Sequence, residues 1–242
     1  MSVGIFGTGR FGSFWATELA RTTTVLTYSR TPRPAPPGCR SATIEELGGC
    51  DAVMLCVAIS AVEEALSALL PHLAPGTVVM DTCSVKVHPA KVMDRLVPQA
   101  NPVIATHPMF GPDSAGQGVT GLPLVFAPVR ASGATAEDWR RFFRGMGLRV
   151  LEMTPDEHDR EAAMTQGVTH FLGRVLADMD LRPSEMATMG YRKLLEVMEQ
   201  TCNDPYQLFH DLQRYNPYTS QMRTRLQESL NRMMVSLESP PA

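Results

Sequence analysis

Three glycines near the start of the chain, Gly7, Gly9 and Gly12, constrain its fold more than any other feature. Alone, the spacing Gly-x-Gly-x-x-Gly is weak, because glycine is common; its context gives it weight. Val3–Gly7 reads as a short apolar strand and Phe11–Arg21 as a helix, so the glycines occupy a strand-to-helix turn. Gly7 permits the tight turn, Gly9 opens the backbone to close approach, and Gly12 lets the helix lie on the strand. The helix start then offers free N–H groups and a positive dipole end, a ready seat for a pyrophosphate. Gly7, Thr8, Gly9, Arg10, Phe11 and Gly12 are therefore the first candidates for binding a dinucleotide.

The following residues repeat the alternation. Thr24–Tyr28 reads as a second strand, and the stretch 31–38, with four prolines, as a loop. The unbroken apolar run Asp51–Ala58 has the character of a strand buried on both faces of a parallel sheet. Ala61–Leu70 is helical, and Thr77–Asp81, Val103–Ala105, Leu124–Ala127 and Arg149–Met153 are further strands. Strands alternating with helices indicate an α/β fold, a doubly wound Rossmann sheet over residues 1–153. From residue 154 the pattern changes. Thr154-Pro155-Asp156-Glu157 has the form of a capping box opening a helix to about Leu181. Helices from about Glu185 to Gln200, over Tyr206–Tyr215, and along the apolar stripe Met222, Leu226, Leu230, Met233 and Leu237 complete an all-helical C-terminal domain, 154–242. Nine of the 15 methionines lie from Met153 onward, which fits either a homodimer through these helices or a private helical core.

A formal net charge of -3 leaves no basic field for nucleic acid or an anionic membrane surface. No apolar run is long enough to span a bilayer, and the start lacks the pattern of a signal or transit peptide. The odd set of cysteines, Cys39, Cys50, Cys56, Cys83 and Cys202, contains no CxxC pair and reads as reduced thiols in a cytoplasm, with no metal site expected. His158 and His170, 12 positions apart, fall on different sides of a helix and do not form a metal pair.

The end of the second strand bears on cofactor choice. NAD-specific domains place an acid there for the ribose 2′-OH. This chain has Thr27-Tyr28-Ser29-Arg30, with Arg33 close behind. An Arg suits a 2′-phosphate, so Ser29, Arg30 and Arg33 point to NADP. Val57 and Ala58, following the third apolar run, complete the expected cofactor residues.

Two stretches end strands on the ligand-binding side of such a sheet: Asp81-Thr82-Cys83-Ser84-Val85-Lys86 and Thr106-His107-Pro108-Met109-Phe110-Gly111-Pro112. Oxidising an alcohol needs a group that takes the hydroxyl proton as hydride leaves. His107 suits that work, and Ser84 suits holding the hydroxyl or orienting the imidazole.

The glycine motif, DTCSVK and above all HPMFGP resemble the prephenate/arogenate dehydrogenase family of tyrosine biosynthesis. The likeness continues through QGVTHFLGR (166–174), Thr188-Met189-Gly190-Tyr191, Asp204 and Tyr215-Asn216-Pro217, where it is similar to the plant-type arogenate dehydrogenases. The resemblance implies NADP-dependent oxidative decarboxylation of arogenate to tyrosine, with His107 as the catalytic histidine and Ser84 as its partner. Prephenate as substrate, another NADP-dependent oxidoreductase of this architecture, and a cofactor-binding sensor are the alternatives. It also implies substrate-binding roles for Arg192 and its rival Arg174. His170 is read either as a residue over the nicotinamide or substrate, or as a packing histidine. By the same resemblance, many members of the family carry a second histidine three residues before His170, where this chain has Gly167, so that histidine's role has no counterpart here.

Overall fold

The computed structural model describes residues 1–238 and divides the chain into two compact units, Met1–His158 and Asp159 onward. The first unit runs β1 (Ser2–Phe6), α1 (Arg10–Leu19), β2 (Thr24–Tyr28), β3 (Arg40–Ser41), α2 (Ile44–Gly48), β4 (Ala52–Leu55), α3 (Val62–Leu69), β5 (Val78–Asp81), α4 (Val87–Leu96), β6 (Val103–Pro108), β7 (Pro123–Arg130), α5 (Gly133–Gly145) and β8 (Arg149–Glu152). Its strands form one sheet in the order β3-β2-β1-β4-β5-β6-β7-β8. The first six are parallel and keep the Rossmann order; β7 pairs antiparallel with β6, and β8 parallel with β7.

Alternate strand residues separate the two faces of the sheet. Val3, Ile5, Met54, Met80, Ile104 and Phe126 join one buried cluster with Trp15 and Leu19 of α1 and Trp139 and Phe143 of α5. Gly4 points the other way, where any side chain would strike Leu47 of α2. Helices thus cover both faces. The order reverses beside β1, so a crevice opens at the C-terminal ends of β1 and β4, the usual ligand position in such sheets.

α6 (Pro155–Ala162) opens with the expected capping box: Glu157 N–H donates to Thr154 Oγ1 (3.2 Å) and Thr154 N–H to Glu157 Oε2 (2.8 Å). The division between the two compact units falls within this helix, after His158, which lies against a strand of the first unit. In the second unit the helix does not run unbroken to Leu181. A π-turn at Ala163–Gly167 interrupts it, α7 (Val168–Asp178) follows, and Asp180 turns the chain with φ 55°. Gln213 donates to the Gly167 carbonyl at 2.9 Å and satisfies an acceptor within the irregular turn. The next helix, α8 (Met189–Cys202), starts four residues later than expected, because the N-cap is Thr188, whose hydroxyl accepts Tyr191 N–H. α9 (Tyr206–Tyr215) lies where expected, and α10 (Thr219–Glu238) carries the terminal stripe. Gly173 lets α7 close onto α8, since a Cβ there would sit 1.9 Å from Thr201 Oγ1. No helix among the described residues is long and apolar enough to cross a membrane.

Candidate active site

The glycine turn is shaped by contact, not only by flexibility. Gly7 has φ 107°, a left-handed conformation, and a Cβ there would lie 2.5 Å from the Cys56 carbonyl. At Gly12 a Cβ would lie 1.9 Å from the Gly7 carbonyl. Gly9 differs: nothing stands within 4 Å of its hypothetical Cβ, so the turn is open on that side. Gly9 is also the N-cap of α1, and no side chain caps the helix. Thr8 is buried, and its hydroxyl has no hydrogen-bond partner. An uncapped helix start, an open glycine and an orphaned hydroxyl together fit a pyrophosphate, which would supply the missing acceptor oxygens. Val57 and Ala58 leave the end of β4 beside this turn, where Val57 would be 3.1 Å from a Cβ on Gly7.

The end of β2 is tied to the turn by Gly7 N–H donating to the Tyr28 carbonyl (2.8 Å). Ser29 and Arg30 follow immediately. Arg33 reaches back from the proline-rich loop to the Thr8 carbonyl at 3.4 Å. Arg30 is exposed and paired with Glu64 of α3 (2.5 Å).

The two candidate chemical stretches lie side by side, because β5 and β6 are adjacent parallel strands with Asp81 opposite Ala105. Asp81 and Lys86, both fully buried, form an ion pair that holds this corner. Lys86 Nζ also donates to the Thr106 carbonyl (2.6 Å), while the Thr106 N–H donates to Asp81 Oδ1 (3.2 Å). The turn bearing Ser84 and the strand bearing His107 are thereby locked together. Ser84 is buried, with no partner for its hydroxyl. Burial pushes the neighbouring Cys83 thiol well above its ordinary pKa, and Cys56 up to about 12, so neither supplies a thiolate near neutral pH.

His107 is the penultimate residue of β6, 4 % exposed, and its Nδ1 lies 2.8 Å from Nε2 of His158, which is also buried. Which nitrogen donates depends on the tautomer. For His107 to accept a proton at Nε2, it must donate through Nδ1, and His158 Nε2 is then the acceptor. After His107 the chain keeps touch with both sides of the site. Phe110 packs edge-on against Trp15 (6.0 Å) and Phe14 (6.3 Å) of α1, and Asp113 pairs with Arg10 in the glycine motif. Phe11 stacks on Trp15 within the same aromatic group. The HPMFGP turn is thus anchored to the helix that starts at the glycines. In the sequence His158 is set apart only by its spacing from His170, and nothing there points to His107; among the described residues no group of three or more His, Cys, Asp or Glu could hold a metal.

In the second unit, Gln166, His170 and Arg174 recur every four residues along the π-turn and α7. Each has a buried polar atom without a partner: Gln166 Oε1, His170 Nδ1 and Arg174 Nε. Arg174 otherwise donates to the carbonyls of Thr201 (3.2 Å) and Asp204 (2.7 Å) and lies over the Tyr206 and Phe209 rings. Burial lowers the His170 pKa, against a smaller opposing pull from Asp204. Arg192 stands apart at the start of α8, exposed, with Nε and Nη2 on the Ala187 carbonyl.

Comparison with known proteins shows what the chain is similar to. Residues 38–151 match the model of the prephenate dehydrogenase nucleotide-binding domain, and residues 175–240 that of the TYRAAT1-like C-terminal domain. Arogenate dehydrogenase 2, chloroplastic, of Arabidopsis thaliana is 36% identical over 182 residues, covering 73% of this chain and 51% of the relative. Arogenate dehydrogenase 1, chloroplastic, of the same plant is 33% identical over 255 residues, covering 99% of this chain and 38% of the relative. The chain therefore spans about half or less of the length of these relatives. A solved prephenate dehydrogenase from A. aeolicus, in complex with hydroxyphenyl propionate and NAD+, superimposes with a TM-score of 0.78 at 18% identity, covering 98% of this chain and 91% of that one. The Synechocystis arogenate dehydrogenase gives a TM-score of 0.70 at 19% identity, covering 99% and 94%.

Proposed function

The chain belongs to the prephenate/arogenate dehydrogenase family, and on that premise we propose that it oxidatively decarboxylates L-arogenate to L-tyrosine with NADP as cofactor. The observation that carries the reading is the buried His107–His158 pair, beside the turn that holds the unsatisfied Ser84 hydroxyl. A bound nicotinamide supplies the hydride acceptor. His107 accepts the proton of the ring hydroxyl at Nε2 as hydride leaves the carbon that bears it, while His158 receives the Nδ1 hydrogen bond. Ser84 holds the same hydroxyl oxygen. The bond from the ring to its carboxylate breaks, CO2 leaves, and the electron pair completes the aromatic ring. The phenolic oxygen then recovers its proton from His107. Aromatisation supplies the drive, so the protein mainly positions the groups.

The preference for NADP rests on Arg30, Ser29 and Arg33 at the end of β2, where no acid is present. In the second unit, His170, Arg174 and Arg192 are assigned to the substrate's carboxylates and side chain. Residues 1–153 serve the cofactor, and 154–242 the substrate and a homodimer. The dimer reading is supported by Leu230, Met233, Met234 and Leu237 on α10, all more than half exposed.

The test is turnover across a panel of arogenate, prephenate and unrelated hydroxy acids, with wild type and His107→Ala. The expected result is tyrosine, CO2 and NADPH from arogenate, with the variant slower by about 10²–10⁴-fold yet still binding NADPH. Turnover of an unrelated hydroxy acid instead would reassign the protein to another oxidoreductase. Cofactor binding with no turnover at all would make it a sensor.

A further inference from the structure

The acid missing from the end of β2 is replaced at that corner by one from elsewhere in the fold. β2 and β4 are the two neighbours of β1, so residues following them flank the glycine turn. Arg30 follows β2. Glu64 lies in the first turn of α3, after β4. The two side chains meet across the end of β1, with Arg30 Nη1 2.5 Å from Glu64 Oε1, although they are 80% and 70% exposed. The adjacent acid, Glu63, is committed elsewhere, to Arg95 at 2.8 Å. Arg33 points to the Thr8 carbonyl, so it does not replace Arg30 in the pair.

We propose that Glu64 sets cofactor preference by competing with the 2′-phosphate of NADP for Arg30. The inference rests on the assignment of Arg30 to that phosphate. A guanidinium held by a carboxylate must give up that pairing before it can hold the phosphate. NADP binding is weakened by this exchange, whereas a cofactor without the 2′-phosphate leaves the pair closed. The effect is small, because an exposed pair contributes little and is screened by salt. It acts on binding before any chemistry.

The experiment titrates purified full-length protein with 2′,5′-ADP and 5′-AMP by calorimetry at low salt, for wild type, Glu64→Gln, Arg30→Ala and the double variant. The expected result is that Glu64→Gln tightens 2′,5′-ADP about two- to fivefold and leaves 5′-AMP unchanged. In the Arg30→Ala background the same substitution should change nothing, because the competition acts through Arg30. An unchanged affinity in Glu64→Gln overturns the proposal, as does a gain that persists without Arg30, which would mean plain repulsion. Equal binding of the two nucleotides by wild type, unaffected by Arg30→Ala, overturns the Arg30 assignment as well. A wild-type preference for 2′,5′-ADP with no Glu64 effect overturns the competition alone.

Discussion

At the scale of single residues, the contact with His158 would position His107 for the general-base role proposed for it. One hydrogen bond of about 1–1.5 kcal/mol is worth roughly tenfold in rate if it is needed in the transition state. His158→Leu is therefore expected to lower kcat about tenfold with KM nearly unchanged. His158→Gln, which keeps an acceptor, should recover much of the loss. Equal losses in both variants, or a loss confined to KM, would deny His158 this role. His170 offers a test through stability. Burial lowers its pKa in the fold, so the unfolded chain binds the proton more readily. The linked stability is present above pH about 6.5, the ordinary histidine value, and declines as pH falls below it. Thermal midpoints measured from pH 8 to pH 5 should fall more steeply for wild type than for His170→Asn. Parallel curves would mean that His170 titrates alike in both states.

At the scale of elements, the glycine turn separates two kinds of glycine. A methyl group at position 12 would overlap the Gly7 carbonyl, so Gly12→Ala should destabilise the protein by about 2 kcal/mol or more. Gly9→Ala meets nothing within 4 Å and should leave the melting temperature within about a degree while weakening NADPH binding. A large loss of stability in Gly9→Ala, with binding intact, would contradict the pyrophosphate seat. Much of this scale was legible in the sequence. The glycine turn, the capping box at Thr154 and the strand that delivers His107 all depend on local patterns. Other features were not. α5 starts from a Ser132 cap with only modest overall hydrophobicity, α4 carries Pro89 in its first turn, and β6 and β7 extend through Pro108 and Pro123, residues that argue against strand by propensity. The π-turn has no sequence signature. The His107–His158 contact joins positions 51 residues apart, and no spacing rule reaches that far.

At the scale of the whole molecule, the aromatic bridge from Phe110 to α1 and the Asp81–Lys86 pair tie the glycine turn to the segments that carry Ser84 and His107. Lys86→Met would leave a buried carboxylate without its cation and should cost about 3–5 kcal/mol. A melting temperature close to wild type would show that the corner holds without it. The α10 stripe bears on assembly. Changing Leu230 and Met233 together to Glu should convert a dimer to a monomer in sedimentation velocity, and a wild-type monomer at micromolar concentration would contradict the dimer reading. The family and fold followed from motifs spread along the chain, whereas the choice between an amino acid and a keto acid substrate turns on side-chain contacts that no motif encodes. The most direct test of the central claim is therefore steady-state turnover of arogenate and of prephenate in separate assays with NADP. NADPH should form from arogenate with kcat/KM at least about tenfold above that for prephenate, a margin of about 1.4 kcal/mol. Turnover of neither substrate by protein that still binds NADPH would contradict it.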